Sequence, residues 1–249
     1  MKTVNTTVAV VTGGGSGIGL AIAEKFVHNK ITTVIVGRDS EKLHKAKQHL
    51  GELCVPIAAD LSDLASIPTL VKEVIAQLGH IDILVNNAGI NMKKDFTDVT
   101  DEDFQKVLLT NVTAVFALTR EVVKTMMPAG KGSIINISSM AAQYGIPKVI
   151  AYSASKTAIE GMTRAMAVEL SPKGIRANCI APGFIATEMT SKAFNNDVDR
   201  KNKAMSRTPM GTMGAPSDIG DAALFLATDA SRYITGVVLP VDGGNSIGF

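Results

Sequence analysis

Apolar and polar positions along the chain follow two rhythms. Short apolar runs recur at Val8–Thr12, Thr33–Val36, Leu53–Ala59, Ile81–Val85, Gly132–Ser138, Ile175–Ala181 and Gly236–Gly244, most of them ending in glycine, asparagine, aspartate or proline. Such runs predict seven strands. Between them lie amphipathic stretches with helical spacing, at Leu20–Val27, Ser40–Leu50, and near 64–78, 101–127, 151–170 and 217–227. Ser62-Asp63 opens the third of these, and Pro172-Lys173-Gly174 closes the fifth. Strand and helix in strict alternation, with no Pro/Gly/Ser linker, internal repeat or low-complexity segment, predict an α/β fold. The expected form is a single domain over 1–249 with a doubly wound, seven-stranded, mostly parallel sheet and helices on both faces. Residues 188–213 keep neither rhythm and carry Met189, Phe194, Met205, Met210 and Met213. That stretch is a candidate substrate-binding loop over an adaptable pocket, or else a loop packed on the surface.

Composition narrows the class. Of the 249 residues, 46% are hydrophobic and 19% charged, an ordinary globular balance. A formal charge of +2 argues against a nucleic-acid surface. No apolar run approaches the roughly 18 residues a membrane span needs, and no charged-then-apolar leader precedes Val8. A soluble, cytoplasmic protein is expected. Cys54 and Cys179 lie in apolar runs and read as reduced core thiols. His28, His44, His49 and His80 fall on or beside helices without ligand spacing, so no metal is expected.

The first strand runs into Gly13-Gly14-Gly15-Ser16-Gly17-Ile18-Gly19 and then a helix. Glycines there permit a tight turn and close approach to a pyrophosphate, which the helix N-terminus attracts, as in a Rossmann fold. The second strand ends at Gly37-Arg38-Asp39. A guanidinium without an acid at the strand tip suits a 2′-phosphate and favours NADP(H) over NAD(H). Asp39 is either a ribose ligand or the N-cap of the next helix. Asp60 and Asn86-Asn87-Ala88-Gly89 follow the third and fourth strands, where ligands gather in such sheets. Asn111 falls inside a helical stretch, where its propensity is poor; it is either a buried, bonded amide or the mark of a helix distortion that holds water. The fifth strand delivers Ser139 to its carboxyl end.

Tyr152 and Lys156 are four residues apart in a helical run, hence on one face. A neighbouring ammonium favours a phenolate, and such a tyrosine can exchange a proton with an alcohol or carbonyl. Tyr144 and Lys148 repeat the spacing, but Gly145 and Pro147 between them oppose a helix.

With Thr12-Gly-x-x-x-Gly-x-Gly19, Asn86-Asn-Ala-Gly89, Asn111, Ser139, Tyr152-x-x-x-Lys156 and Pro182-Gly183 in order, the chain resembles the short-chain dehydrogenases/reductases over essentially its whole length. The resemblance implies that Tyr152 is the general acid/base of an NAD(P)(H)-dependent interconversion of a secondary alcohol and a ketone. Lys156 would lower the Tyr152 pKa and bind the nicotinamide ribose, Ser139 would bond the substrate oxygen, and Asn111 would hold a relay water. It further implies that Gly13, Gly15, Ser16, Gly17, Ile18 and Gly19 cradle pyrophosphate, with Asp60 and Leu61 by the adenine. Asn87, Ala88 and Gly89 would lie by a ribose, Ile185 and Thr187 would hold the carboxamide, and Tyr152, Pro182 and Gly183 would also border the cofactor. Many NADP-preferring relatives carry a basic residue where this chain has Ser16, which speaks against NADP(H).

Within the family, Gly37-Arg38-Asp39, Ser139-Met140 and Arg207-Thr208-Pro209 resemble gluconate 5-dehydrogenase-like sugar-acid enzymes. The alternative is a 3-oxoacyl-acyl-carrier-protein reductase, and a more distant one a non-catalytic dinucleotide sensor. Lys93 and Lys94 could attract an anionic substrate, or belong to a solvated loop. Small residues Ala154, Ala158, Gly161 and Ala165 on the catalytic helix suit close helix pairing, and the resemblance implies a homo-oligomer, tetramer or dimer.

Overall fold

A computed structural model describes residues 6–188, 190–191, 202 and 204–248. Its sheet has the order β3-β2-β1-β4-β5-β6-β7. The strands are β1 (Val8–Thr12), β2 (Thr32–Gly37), β3 (Cys54–Ala58), β4 (Ile83–Asn86), β5 (Gly132–Ile137), β6 (Ile175–Pro182) and β7 (Val238–Val241). Each neighbouring pair is parallel. Parallel strands need crossovers, supplied by α1 (Gly17–His28), α2 (Ser40–Leu50), α3 (Ile67–Leu78), α4 (Asp101–Leu108), α5 (Ala114–Met126), α6 (Ile150–Leu170) and α7 (Pro216–Ala227).

Alternation along the strands divides the core. Val10, Leu84, Ile134 and Ala177 point to one face and pack under α3, α5 and the end of α6. Ala9, Val11, Ile83, Val85 and Ile135 point to the other, against Ile22 and Phe26 of α1 and Ile219, Ala223 and Leu226 of α7. Ile35 and Cys54 pack with α2. Both faces are covered, so the strands read as near-continuous apolar runs.

Several expected boundaries shift; α1 starts at Gly17 and α3 at Ile67. The helical stretch near 101–127 is broken by a π-helical turn at Leu109–Thr113, which separates α4 from α5. β7 is shorter than expected because Gly236, Gly243 and Gly244 adopt positive φ and turn the chain. β4 starts at Ile83; Asp82 before it still exchanges backbone bonds with Val8 and Ser133, and its carboxylate accepts from the Val8 N–H at 2.9 Å and pairs with His80 at 3.1 Å. Met189 and Phe194 of the 188–213 stretch lie outside the described residues. Where that stretch is described it is not an aperiodic loop throughout, as residues 204–206 are helical.

Candidate active site

β1 and β4 are neighbours in the sheet, and the chain leaves them in opposite directions, opening a crevice at their carboxyl ends. Thr12, at the tip of β1, ties the two loops together. Its hydroxyl donates to the Val85 carbonyl at 3.2 Å and accepts from the Asn87 and Ala88 N–H groups, each at 3.0 Å. The Asn87 amide donates to the Thr12 carbonyl at 2.9 Å. Gly13 has φ +66°, and a Cβ on Gly19 would stand 2.3 Å from the Gly13 carbonyl oxygen, so neither position accepts a side chain. Ser16 precedes α1 without capping it, and no acidic residue sits in the first turn of that helix. The leading amides of α1 are therefore left for an anion, and they border a cavity of about 580 Å³. A pyrophosphate fits this cradle.

Gly13, Ser16, Gly17 and Ile18 line that cavity, as do Asn87, Ala88 and Gly89. Ser139, Tyr152 and Lys156 form its far wall, and Pro182, Gly183, Ile185 and Thr187 its third side. Gly15 faces α2 instead, where an added Cβ would be 3.4 Å from Leu43. Arg38, Asp60 and Leu61 lie beyond the cavity at the ends of β2 and β3. Arg38 is exposed. The Asp60 carboxyl is held below its ordinary range by Ser62, whose hydroxyl and N–H donate to it at 2.7 and 2.9 Å, with a smaller contribution from the Arg38 charge. Asp39 caps α2, accepting from the Lys42 N–H at 3.0 Å.

Asn111 sits in the π-turn and is 1% exposed. Its Oδ1 accepts from the Ile90 N–H at 2.8 Å, while its amide donates to the Ile90 carbonyl at 2.9 Å and the Ser155 hydroxyl at 3.0 Å. Both donors of the amide are taken, so the side chain braces the loop after β4 against α6. The amide is buried and bonded, and the helix is distorted as well. Tyr152 and Lys156 share one face of α6, with the Lys156 ammonium 5.6 Å from the Tyr152 ring centre. That ammonium donates to the Ile137 carbonyl at 2.7 Å. Burial lowers the Lys156 pKa to about 8, against a smaller opposing effect of Cys179. Burial raises the Tyr152 phenol above its ordinary value, and the Ser139 hydroxyl facing it pulls it partly back. Desolvation is the larger effect at Tyr152, so the phenol shifts opposite to the lowering expected from Lys156.

The Tyr144/Lys148 pair does not share a helix. Lys148 has φ +68° and pairs with Asp95 at 3.0 Å, while Arg207 stacks 4.2 Å from the Tyr144 ring centre and the phenol bonds Asn245. Lys94 is paired with Asp103. Ile90, Ile137, Glu188 and Thr190 also line the cavity. Ile137 contributes a backbone carbonyl to Lys156, which no side-chain motif signals. Thr190 lies in the stretch recognised only by its lack of period. Among the described residues, no group of three or more His, Cys, Asp or Glu could hold a metal ion, and no helix is long and apolar enough to cross a membrane.

Residues 13–246 match the family model described as enoyl-(acyl carrier protein) reductase. The chain is 40% identical over 242 residues, 95% of each chain, to a 3alpha-hydroxysteroid dehydrogenase of Mediterraneibacter gnavus. It is 40% identical over 245 residues, 97% of each chain, to a 3-oxoacyl-acyl-carrier-protein reductase of Chlamydia trachomatis serovar D. A solved structure from Agrobacterium tumefaciens, assigned provisionally as a gluconate dehydrogenase, superposes with a TM-score of 0.94 at 32% identity, covering 98% of this chain and 97% of that one.

Proposed function

Because the chain belongs to the short-chain dehydrogenase/reductase family, and is thus an oxidoreductase using a nicotinamide dinucleotide, we propose that it interconverts a secondary alcohol and a ketone with Tyr152 as general acid/base. The observation that carries this reading is the convergence of Ser139, Tyr152 and Lys156 with the glycine loop on one cavity. The dinucleotide supplies or accepts the hydride when bound. The amides at the start of α1 hold its pyrophosphate, and Asn87, Gly89 and Lys156 border a ribose. Ile185 and Thr187 cover the nicotinamide end. Ser139 donates to the substrate oxygen, and Tyr152 gives that oxygen a proton in reduction or removes one in oxidation. Lys156 favours the phenolate by its charge. Asn111 braces the loop at Ile90, and one lone pair of its Oδ1, beside Gly89, remains for a relay water. Replacing Tyr152 with Phe is expected to lower kcat by about 10²–10⁴-fold while leaving cofactor affinity intact. Steady-state rates paired with cofactor fluorescence titration check this; an active Phe variant would exclude Tyr152 as the acid/base.

NADP(H) is the proposed cofactor. Asp39 is engaged as the cap of α2, and Arg38 is exposed at the strand tip near Asp60. NADPH is expected to bind at least about tenfold more tightly than NADH, and Arg38→Ala to erase the difference, about 1.4 kcal/mol. Equal binding of the two by the unaltered protein would instead support NAD(H).

The proposed substrate is a sugar acid. The likeness to the Agrobacterium structure and the hydroxyls of Ser139, Thr187 and Thr190 along the cavity favour it. A 3-oxoacyl thioester is the second reading, favoured by the family model and the Chlamydia relative. Turnover of a panel of aldonates and keto-aldonates beside 3-oxoacyl thioesters separates the two by kcat/KM. A homo-oligomer in the cytoplasm accords with both.

A further inference from the structure

Glu160 is an ionisable side chain that the proposed reaction leaves without a role, yet it is only 8% exposed. It lies four residues beyond Lys156, as Lys156 lies four beyond Tyr152, so the three stack at one-turn intervals on one face of α6. Each meets one of three consecutive residues, the last of β5 and the two that follow it. Lys156 donates to the Ile137 carbonyl at 2.7 Å. The Ser138 hydroxyl donates to Glu160 Oε1 at 2.8 Å, sharing its proton with the Lys156 carbonyl at 3.3 Å. Ser139 faces Tyr152. From the other side, the Ser138 N–H donates to the Ile180 carbonyl at 2.7 Å, which fixes the strand end to β6. Cys179 on β6 is the other titratable group beside Glu160, its thiol pushed up to about 12 by burial first and the Glu160 charge second. A buried carboxylate costs free energy that an apolar side chain of similar volume would not. Its presence here therefore asks for a reason beyond packing.

We propose that Glu160 is a positioning residue: through Ser138 it fixes where the end of β5 sits along α6, and so sets the approach of Ser139 to Tyr152. This rests on the reading of Tyr152 as the group that does the chemistry. It extends the five-residue motif by one turn, to Tyr152-x-x-x-Lys156-x-x-x-Glu160.

The test compares Glu160→Gln, which keeps an oxygen acceptor for Ser138, with Glu160→Leu, which does not. One readout is kcat and KM for NADPH-dependent ketone reduction. The other needs no substrate: the Cζ resonance of Tyr152 in ¹³C-tyrosine-labelled protein at neutral pH, identified by its loss in Tyr152→Phe. A misplaced Ser139 is expected to lower kcat about tenfold in Glu160→Leu with cofactor KM nearly unchanged, and to move the Tyr152 resonance. Glu160→Gln is expected to restore both. Ser138→Ala should reproduce the leucine variant, and adding Glu160→Leu to it should cost nothing further. A folded leucine variant with an unmoved resonance and full kcat overturns the proposal, and so does a glutamine variant as impaired as leucine. Should the leucine variant fail to fold, Ser138→Ala decides by the same two readouts. Should the unaltered protein reduce no ketone, the chemistry proposed above fails, while the resonance still decides the role of Glu160.

Discussion

Lys156 keeps an ammonium in a place that disfavours charge. Its pKa falls from 10.5 to about 8 in the folded chain. Between those values the unfolded chain holds a proton that the folded one has released, so stability rises with pH. The gain is absent below pH about 8, complete above about 10.5, and climbs by up to about 1.4 kcal/mol per pH unit between. Urea denaturation of the ligand-free protein at pH 7.5 and 9.5 is expected to show this increment in the unaltered chain and its loss in Lys156→Met. A parallel response in both would place the effect elsewhere. At this scale the sequence was highly legible: helix-compatible residues between Tyr152 and Lys156, against Gly145 and Pro147 in the decoy pair, separate the two sites. What spacing could not convey is the balance of burial against charge at Tyr152, since that depends on how much water the folded walls remove. Nor could it show that Asp39 accepts from the Lys42 N–H as the cap of α2.

Among the elements, the break between α4 and α5 carries the most information. One π-turn shifts the register of the following helix and turns Asn111 toward both the loop at Ile90 and α6. Replacing Asn111 with Ala leaves the Ile90 N–H, the Ile90 carbonyl and the Ser155 hydroxyl without this partner. A loss of about 2–3 kcal/mol is expected, or a fall in Tm of roughly 5–10 °C for a chain of this size. Differential scanning calorimetry checks it; an unchanged Tm would mean that the brace is dispensable. An asparagine inside an apolar helix announces that something local happens there. It does not announce a widened turn, because one extra residue in a helix leaves the apolar spacing on either side almost as it was. The short last strand was over-read for a related reason: Gly236, Gly243 and Gly244 punctuate the run, and their positive φ removes them from the ladder.

The whole molecule is polarised along its strands. The carboxyl ends carry the cavity with Tyr152 and Lys156, while the amino ends carry a second one and staples such as Arg176, which donates to the Leu226 carbonyl at 2.8 Å and reaches those of Thr228 and Ile234. Arg176→Met is expected to lower stability by about 1.5–3 kcal/mol through the loss of these charge-assisted hydrogen bonds, the carbonyls keeping Ser133, Ser231 and Asn178 as donors, and to leave NADPH affinity unchanged. Chemical denaturation and cofactor titration on one preparation check both halves; a large change in affinity would contradict the separation. Alternating apolar runs and amphipathic stretches made the parallel sheet legible because helices on both faces impose that pattern. Of the stretch 188–213, the described end resisted reading because its partner is distant in sequence: the Asn245 amide donates to the Thr208 hydroxyl at 2.8 Å. The order β3-β2-β1-β4-β5-β6-β7 has one further consequence. The chain crosses between its two halves once, through the exposed turn at Gly79. A nick there would yield two pieces, each with a contiguous block of sheet, that meet along β1 and β4, at α1 on α7 and at α3 on α5. The dinucleotide cradle straddles that seam, with Gly13, Ser16, Gly17 and Ile18 on one piece and Asn87, Tyr152 and Lys156 on the other. The coenzyme would then act as the rivet of a split protein, and reassembly of the two fragments would report its concentration.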